Sequence, residues 1–363
     1  MSLYDLQLAD WQKLLTEQPS FRAMQIWQSI HKHALRPELL TSLPKELRER
    51  LALMPELKSA LKLRQLSSDD HQLTEKALFE LDDGHVIETV LMHYPDRSTV
   101  CISSQAGCAM NCSFCATGQQ GYFRHLGVGE ITEQVIWAIS RTRITRGSKR
   151  LSNVVFMGMG EPLANTRNVF GAIARINQDI GIGARHITVS TVGIVPGIKL
   201  FTSLDLQVNL AVSLHAANNQ KRSSIVPINS RYPIELLTKA LQEYAKASNR
   251  RISFEWAMMD GVNDSTTDAR ELIAICIPLQ AHVNLIPLNP TPGWPTRGTP
   301  MEKIVSFAKI LAEAGVAVSV RDNRGTNIDA ACGQLAGTFA ERNIGERITV
   351  TKSARMNIDG LLD

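Results

Sequence analysis

Residues 98–115 read STVCISSQAGCAMNCSFC, and this stretch decides how the rest of the chain is interpreted. It joins a strand-like run, 99–104, to a CxxxCxxC motif formed by Cys108, Cys112 and Cys115. Three thiolates can hold three irons of a cubane cluster, which leaves the fourth iron open to a small molecule. A structural zinc site is the alternative, but it needs a fourth ligand, for which His125 is the nearest candidate. The motif therefore favours a [4Fe–4S] cluster.

The sequence that follows this motif alternates between strand-like and helix-like segments. The strand candidates are 99–104, 153–157, 186–191, 207–214, 252–258, 282–287 and 316–320. Between them, helical periodicity appears over 130–141, 167–177, 197–203, 234–247, 266–277 and 301–314. Such alternation predicts right-handed βαβ units around a parallel sheet. We therefore predict an α/β fold with a partial (β/α)6 TIM-like barrel, whose functional groups gather at the C-terminal ends of the strands.

The N-terminal part of the chain has a different pattern. Helical spacing appears over 10–15, 21–33 and 45–53, with prolines between these segments. A β-hairpin is predicted over 73–92, around the turn residues 82–84, with Glu88 on its second strand. We therefore divide the chain into a small helical accessory domain (1–65), a short β adapter (66–97), the barrel (98–340) and a C-terminal extension (341–363).

Composition places the chain among ordinary globular proteins. It has 363 residues, of which 44% are hydrophobic and 20% are charged. No run of eighteen apolar residues occurs and the N-terminus lacks the apolar core of a signal peptide, so we expect a cytoplasmic protein without a membrane span. Three of the six cysteines are clustered, which is typical of metal binding or chemistry rather than of a disulfide framework. The net charge of +4 is compatible with an RNA partner but does not require one.

Glycine and polar residues follow several predicted strands. Gly160 and Glu161 come after the second barrel strand, where glycine permits a close backbone approach and a carboxylate accepts hydrogen bonds from an ammonium group. The ends of later strands carry Ser190, Ser213, Leu214, His215 and Asn289. Each of these alone is also compatible with an ordinary βα turn. Their convergence on one face of a barrel favours a polar ligand.

These motifs together resemble the radical SAM superfamily, in which S-adenosylmethionine (SAM) binds the open iron and is cleaved to a radical. Within it they resemble the RlmN/Cfr family of RNA adenine methyltransferases. The resemblance rests on residues 98–131 and on VVFMGMGEPLAN (154–165), ITVSTVGIVPGI (187–198), NLAVSLHAAN (209–218), NLIPLNPTPG (284–293) and NIDAACGQL (327–335). It covers nearly the whole chain, including the helical N-terminus.

The resemblance implies a role for each candidate residue. One [4Fe–4S] cluster per chain is bound by Cys108, Cys112 and Cys115. SAM is held by Gly160 and Glu161, which take its amino group, and by Ser190, Ser213, Leu214, His215 and Asn289. The catalytic residues are Cys332, Cys101 and Glu88. Without the resemblance, both catalytic cysteines would be read as buried core thiols, as we read Cys276, and Glu88 as an exposed hairpin residue.

The implied chemistry is a ping-pong reaction that uses two SAM molecules per turnover. The C2 atom of adenine is electron-poor, so it cannot attack the methyl group of SAM as an ordinary nucleophile. The Cys332 thiolate first takes a methyl group, and a radical made from the second SAM removes hydrogen from it. The resulting thiomethylene radical adds to C2 and gives a covalent adduct. After loss of an electron and of a proton to Glu88, Cys101 attacks the sulfur of Cys332, so a disulfide forms and 2-methyladenosine is released.

The implied partners are 23S rRNA, tRNA at the position beside the anticodon, and a low-potential electron donor, for which we expect flavodoxin. The target adenine must lie in a loop or be extruded from a helix. A basic group after the first barrel helix either contacts phosphates or forms a solvated helix end; it comprises Arg141, Arg143, Arg146, Lys149 and Arg150. We expect a monomer.

Three other functions share part of this pattern. A Cfr-type enzyme has both catalytic cysteines but methylates C8 of the ribosomal adenosine. A non-catalytic iron–sulfur or zinc module would bind RNA without cleaving SAM. A radical SAM enzyme acting on protein, such as a glycyl-radical activase, would have no need of Cys332.

Overall fold

The computed structural model describes residues 2–69, 73–147, 149–204, 206–291, 293–321, 325–331 and 333–335. The helices are α1 Leu8–Leu14, α2 Phe21–Lys32, α3 Lys45–Leu53, α4 Ala116–Gln120, α5 Val128–Arg146, α6 Thr166–Ala174, α7 Val195–Thr202, α8 Asn219–Ile225, α9 Ile234–Ser248, α10 Thr266–Leu279 and α11 Met301–Glu313. The strands are β1 Lys62–Ser68, β2 Thr74–Glu80, β3 Val86–His93, β4 Ser98–Cys101, β5 Gln105–Gly107, β6 Tyr122–His125, β7 Leu151–Phe156, β8 Ile187–Thr191, β9 Asn209–Ser213, β10 Ser253–Met258, β11 His282–Pro287 and β12 Ala317–Val320.

One ten-stranded sheet organises the molecule, in the order β1-β2-β3-β4-β7-β8-β9-β10-β11-β12. From β4 to β12 every pairing is parallel, and each parallel strand is followed by at least one helix before the next. Within the described part of the chain, no ladder joins the two end strands, β1 and β12. The predicted α/β fold with a partial (β/α)6 barrel is confirmed.

The sequence of β10 illustrates how the barrel wall is built. Phe254 and Trp256 are fully buried, and the Trp256 ring lies 6.1 Å from the ring of Phe307 on α11. The alternate residues, Glu255 and Ala257, line the cavity inside the barrel. Because successive side chains of a strand point to opposite faces, apolar residues pack against the outer helices while small and polar residues face the interior.

The first barrel strand is shorter than predicted. We expected 99–104, but β4 ends at Cys101, and Gln105–Gly107 pairs instead with β6 in a separate two-stranded ribbon. The chain leaves the main sheet because the next backbone groups bond to the loop after β7: the Ser104 and Gln105 N–H groups both donate to the Met159 carbonyl. This departure carries the cysteine motif over the end of the barrel.

The predicted hairpin is present as β2 and β3, and it extends the barrel sheet because β3 pairs antiparallel with β4. Strand β1, which pairs with β2, was not predicted. Its sequence, KLRQLSS, is mostly exposed and lacks the apolar alternation that marks a half-buried strand.

The N-terminal helices form a second core of their own. Trp11, Ile26 and Ile30 are fully buried there, and the cluster includes Ile136 from α5. The three predicted N-terminal helices are confirmed, within two residues at each end. Among the helices that the structure describes, none is long and apolar enough to cross a membrane.

Candidate active site

A cavity opens where the barrel strands end, with about 970 Å³ of space free of protein atoms, its open mouth included. Its wall includes the following predicted site residues: Cys108, Cys112, Cys115, Gly160, Glu161, Ser190, Ser213, His215 and Asn289. Residues from five separate segments of the chain therefore meet at one place, as the C-terminal ends of parallel strands require.

The cysteine loop runs between β5 and α4 and is folded tightly. The Cys108 N–H donates to the Gly121 carbonyl over 2.7 Å, and the Cys115 N–H donates to the Cys112 carbonyl over 3.2 Å. A Cβ atom on Gly118 would lie 3.0 Å from both the backbone N and O of Cys112. Glycine at position 118 thus lets the first turn of α4 pack directly under the loop.

The three thiols fit a cluster better than a single ion. Burial raises the pKa of Cys108 and of Cys112, so these sulfurs become thiolates only when a metal replaces their protons. Among the described residues, no three His, Cys, Asp or Glu side chains are gathered closely enough to hold one metal ion. All three thiols line one cavity, so they can bind one shared cluster.

The position of His125, the candidate fourth ligand, does not support a zinc site. His125 lies on β6 with its Nδ1 atom 3.0 Å from the Gln105 side-chain nitrogen. It is not among the residues lining the cavity that holds the three thiols.

Glu161 presents a buried carboxylate to this cavity. Its Oε1 accepts the Leu163 N–H over 2.9 Å and its Oε2 accepts the Val192 N–H over 2.8 Å. Burial raises the pKa of Glu161 to about 7, although these hydrogen bonds act in the opposite direction. A carboxylate held in this way can bind an ammonium group directly.

Close backbone packing explains the glycine before Glu161. Gly160 has φ +100°, and a Cβ atom there would lie 2.6 Å from the Gln105 Cβ. The Gln105 side-chain oxygen accepts the Glu161 N–H over 2.8 Å. Gln105, which precedes the cysteine motif, therefore connects the cluster loop to the carboxylate loop.

Small polar groups from the next strands complete the wall. The Ser190 and Ser213 hydroxyls are 3.5 Å apart. His215 Nδ1 accepts the Ala257 N–H over 3.0 Å, and burial lowers the pKa of His215 to about 3, so its Nε2 carries the proton. Leu214 is fully buried behind the wall, and it contributes through its backbone, which bonds to the Glu255 carbonyl and to Arg222.

Arg222 is a site residue that sequence reasoning missed. It is fully buried and donates to the carbonyls of Leu214 and Val192, over 3.1 and 2.6 Å, and to the Asn229 side chain over 2.8 Å. Its hydrogen bonds therefore link the chain at the ends of β8 and β9. No sequence signal marks it, because an arginine in NQKRSSI reads as part of a solvated helix.

Two predicted catalytic residues lie on neighbouring strands of the sheet, and neither lines the cavity. Cys101 is buried, pairs with Val90 and Val155, and shares its strand face with Thr99, which lines the barrel interior. Glu88 has a side chain only 2% exposed and forms an ion pair with Lys76 at 3.3 Å. The interpretation of Glu88 as an exposed hairpin residue is therefore wrong. Cys276 is buried within α10, as expected for a core thiol.

The third predicted catalytic residue, Cys332, lies outside the described residues. Its neighbours contact the cysteine loop. Gly333 lines the cavity, and its carbonyl accepts the Ala116 N–H over 2.8 Å. The Thr117 hydroxyl donates to the Leu335 carbonyl over 2.6 Å.

The basic group after the first barrel helix is partly engaged within the protein. Arg141 pairs with the buried Glu75, Arg143 donates to the His33 carbonyl, and the Lys149 ammonium donates to the Pro95 carbonyl. These contacts favour a structural role for these three side chains over phosphate contact.

The chain was compared with known proteins. The model of the radical SAM superfamily matches residues 102–273. The chain is 46% identical to a probable dual-specificity RNA methyltransferase RlmN from Chloroflexus aurantiacus, over 92% of both chains. It is 48% identical to a protein of the same name from Salinispora tropica, again over 92% of both. The crystal structure of a radical SAM methyltransferase from Sphaerobacter thermophilus superposes with a TM-score of 0.88 at 45% identity, covering 93% of this chain and 99% of the other.

The superfamily implies a [4Fe–4S] cluster and SAM as cofactors, and the three thiols and the Glu161 carboxylate of this cavity fit both. Identity above 40% over nine-tenths of each chain extends beyond the barrel to the N-terminal helices. This chain belongs to the RlmN family of radical SAM methyltransferases.

Proposed function

We propose that this enzyme methylates C2 of adenine in 23S rRNA and in tRNA beside the anticodon. The observation that carries the proposal is the position of Gly333, the residue after Cys332, which lies on the wall of the cavity that Glu161 and the three cluster thiols share. The names of the relatives, which describe dual-specificity RNA methyltransferases, support RNA as the substrate.

SAM binding is the task of the carboxylate and strand-end groups. We assign the amino group of SAM to Glu161, which lines the cavity and whose oxygens are held by two backbone hydrogen bonds. Ser190, Ser213 and Asn289 supply further hydrogen-bonding groups on the same wall, and the protonated Nε2 of His215 is a donor. When bound and reduced, the cluster on Cys108, Cys112 and Cys115 supplies the electron that cleaves SAM and thereby yields a hydrogen-abstracting carbon radical.

Cys332 is proposed to carry the one-carbon unit. Its thiolate attacks the methyl carbon of one SAM and displaces S-adenosylhomocysteine, and the new S-methyl group then loses a hydrogen atom to the radical from a second SAM. The carbon on sulfur bonds to C2 of adenine. These reaction steps consume two SAM molecules and need one cluster per chain.

Glu88 and Cys101 are proposed to complete the reaction. The adduct radical first gives up one electron, for which the oxidised cluster would be the acceptor, and the buried Glu88 carboxylate takes the C2 proton. The Cys101 thiolate then attacks the Cys332 sulfur; the bond from Cys332 to carbon breaks, a disulfide forms, and the released carbon takes up a proton to become the methyl group. The interior-facing position of Cys101 on β4 supports this role.

The partners follow from this chemistry. Each turnover needs a low-potential electron, and we propose reduced flavodoxin as its donor. Because adenine C2 cannot reach the cavity from within a helix, the RNA must present the base in a loop or extrude it. We further propose that the enzyme acts in the cytoplasm as a monomer, in the four parts 1–65, 66–97, 98–340 and 341–363.

An anaerobic assay with reconstituted enzyme tests the proposal. Digested rRNA and tRNA are examined by mass spectrometry, and 2-methyladenosine is the expected product. Methylation at C8 would instead identify a Cfr-type enzyme, and RNA binding without 5′-deoxyadenosine would identify a non-catalytic module. Full activity of a Cys332→Ala variant would favour a protein-directed radical enzyme.

A further inference from the structure

Lys76 is a buried cation next to the proposed general base. Its residue is 9% exposed, and its ammonium lies 3.3 Å from Glu88 Oε1. Lys76 lies on β2, where it pairs with Val90, and Glu88 lies two residues before Val90 on β3. The two side chains are therefore diagonal neighbours on one face of the sheet, within reach of each other because lysine is long.

The same ammonium also reaches the segment that carries Cys332. It donates to the Asp329 carbonyl over 3.1 Å, only three residues before that cysteine. The segment packs closely on this strand, since a Cβ atom on Gly325 would lie 2.9 Å from Thr74 Cγ2. Lys76 thus contacts both Glu88, the proposed general base, and the segment that carries Cys332.

Burying an ion pair costs desolvation free energy, which an apolar pair of the same volume would avoid. Both partners lie on the hairpin, and the Lys76 ammonium also donates to the Asp329 carbonyl. A charged pair is expected at this position if the Glu88 carboxylate must stay ionised and keep a fixed direction. An adjacent ammonium favours the charged form of a carboxyl group.

We infer that Lys76 is a positioning residue that holds Glu88 ionised and directed at the adenine bound through Cys332. This inference rests on the proposed function. The step concerned is redox-neutral: the C2–H bond breaks, its electron pair stays in the ring, and an O–H bond forms on Glu88. Lys76 transfers no proton itself and touches no reacting atom.

The test uses full-length, cluster-loaded enzyme that is methylated on Cys332, in a single turnover with tRNA. Two quantities are followed: 5′-deoxyadenosine formed, and decay of the covalent RNA–protein adduct on denaturing gels. Lys76→Met should form 5′-deoxyadenosine within about threefold of wild type. Its adduct should decay at least about tenfold more slowly, since a well-positioned general base contributes about 10²–10⁴-fold.

Three further variants separate positioning from a purely structural effect. Lys76→Arg keeps the charge and should restore adduct decay to within about threefold of wild type. Lys76→Gln keeps a donor for the Asp329 carbonyl and guards against misfolding of the Met variant; it should show the same slow decay. In a Glu88→Gln background, Lys76→Met should add less than about twofold, because the two residues act as one unit. Lys62→Met, at an exposed lysine on the same sheet, is the matched control and should behave as wild type.

Wild-type adduct decay in the Met and Gln variants would overturn the inference. So would an equal loss of 5′-deoxyadenosine and of adduct decay, or an undiminished effect of Lys76→Met without the Glu88 carboxylate. Failure of the proposed function looks different, since wild-type enzyme itself would then give no adduct and no 2-methyladenosine.

Discussion

At the scale of single residues, the proposed contact with SAM depends on the buried carboxylate of Glu161. Because burial raises its pKa to about 7, this group is largely protonated below that pH and loses its attraction for an ammonium group. Both oxygens already accept backbone N–H groups, so the carboxylate is oriented before the ligand arrives.

We therefore expect the affinity for SAM to rise as pH increases through about 7 and then to level off. Glu161→Gln should weaken binding about 10–100-fold at pH 8, equivalent to about 1.5–3 kcal/mol for a charge-assisted hydrogen bond, and should flatten the pH dependence. Equilibrium dialysis of labelled SAM against anaerobic enzyme measures both effects. Glu235→Gln, at an exposed surface position, is the control. Unchanged affinity in the Glu161 variant would assign the amino group to other residues.

Arg222 acts at the same scale but through structure. Replacement by Met leaves the carbonyls of Leu214 and Val192 and the Asn229 side chain without their donor. Since an unsatisfied buried polar group costs about 1–3 kcal/mol, we expect Arg222→Met to lower the free energy of unfolding by about 3 kcal/mol or more. Urea denaturation measures this, with exposed Arg270→Met as the control. A loss below about 1 kcal/mol would show that other groups hold these loops.

At the scale of elements, the cysteine loop depends on how closely α4 packs beneath it. A Gly118→Val substitution places side-chain atoms where the Cys112 backbone now lies, because even a Cβ atom would be 3.0 Å away. We expect this variant to fold but to retain less than half of the wild-type iron and sulfide after anaerobic reconstitution. Gly183→Val is the matched control, since its Cβ would make only an ordinary 3.5 Å contact with His186. Full cluster content in the Gly118 variant would contradict this view of the loop.

The docking of the N-terminal helices depends on one neutral histidine. His31 on α2 is fully buried, with Nδ1 donating to the Trp27 carbonyl and Nε2 accepting from Arg175. Burial, and to a lesser extent Arg175, lowers the pKa of His31 to about 4, against an ordinary value of 6.5. Tyr4 packs against the same ring, and Asp179 pairs with Arg175.

This arrangement predicts acid sensitivity of the N-terminal core. Above pH 6.5 the imidazole is neutral in both the folded and the unfolded state, so it has no effect. As pH falls toward about 4 only the unfolded state takes up the proton, so stability is lost, by about 2 kcal/mol at pH 5. Urea unfolding followed by tryptophan fluorescence at pH 7 and pH 5 measures this. His31→Gln should lose that part of the pH dependence, whereas His33→Gln should keep it; equal behaviour of the two variants would contradict the assignment.

At the scale of the whole molecule, the sequence predicts the barrel well because parallel strands and amphipathic helices carry strong periodic signals. The bounds of β11, 282–287, were predicted to the residue. The end of β4 was not, since the turn away from the sheet depends on the Met159 carbonyl, more than fifty residues along the chain. Strand β1 was missed because its side chains are mostly exposed.

The residues of the candidate site likewise fall into those that the sequence predicts and those that it does not. The cysteine motif, Gly160-Glu161 and the strand-end residues could be located because their types and spacing are unusual at strand ends. Arg222, Gln105 and Lys76 could not, because their importance arises from tertiary contacts with backbone groups and a carboxylate of other segments. Their residue types are common on surfaces, so no local pattern separates them from solvated side chains.

The most direct test of the whole account is an anaerobic turnover of cluster-loaded enzyme with tRNA, comparing wild type with Cys332→Ala. The account predicts that wild type forms 2-methyladenosine and 5′-deoxyadenosine, and that the variant forms no methylated base although it still binds SAM. Intact SAM in the reduced wild-type enzyme, or a methylated base made by the Cys332→Ala variant, would contradict it.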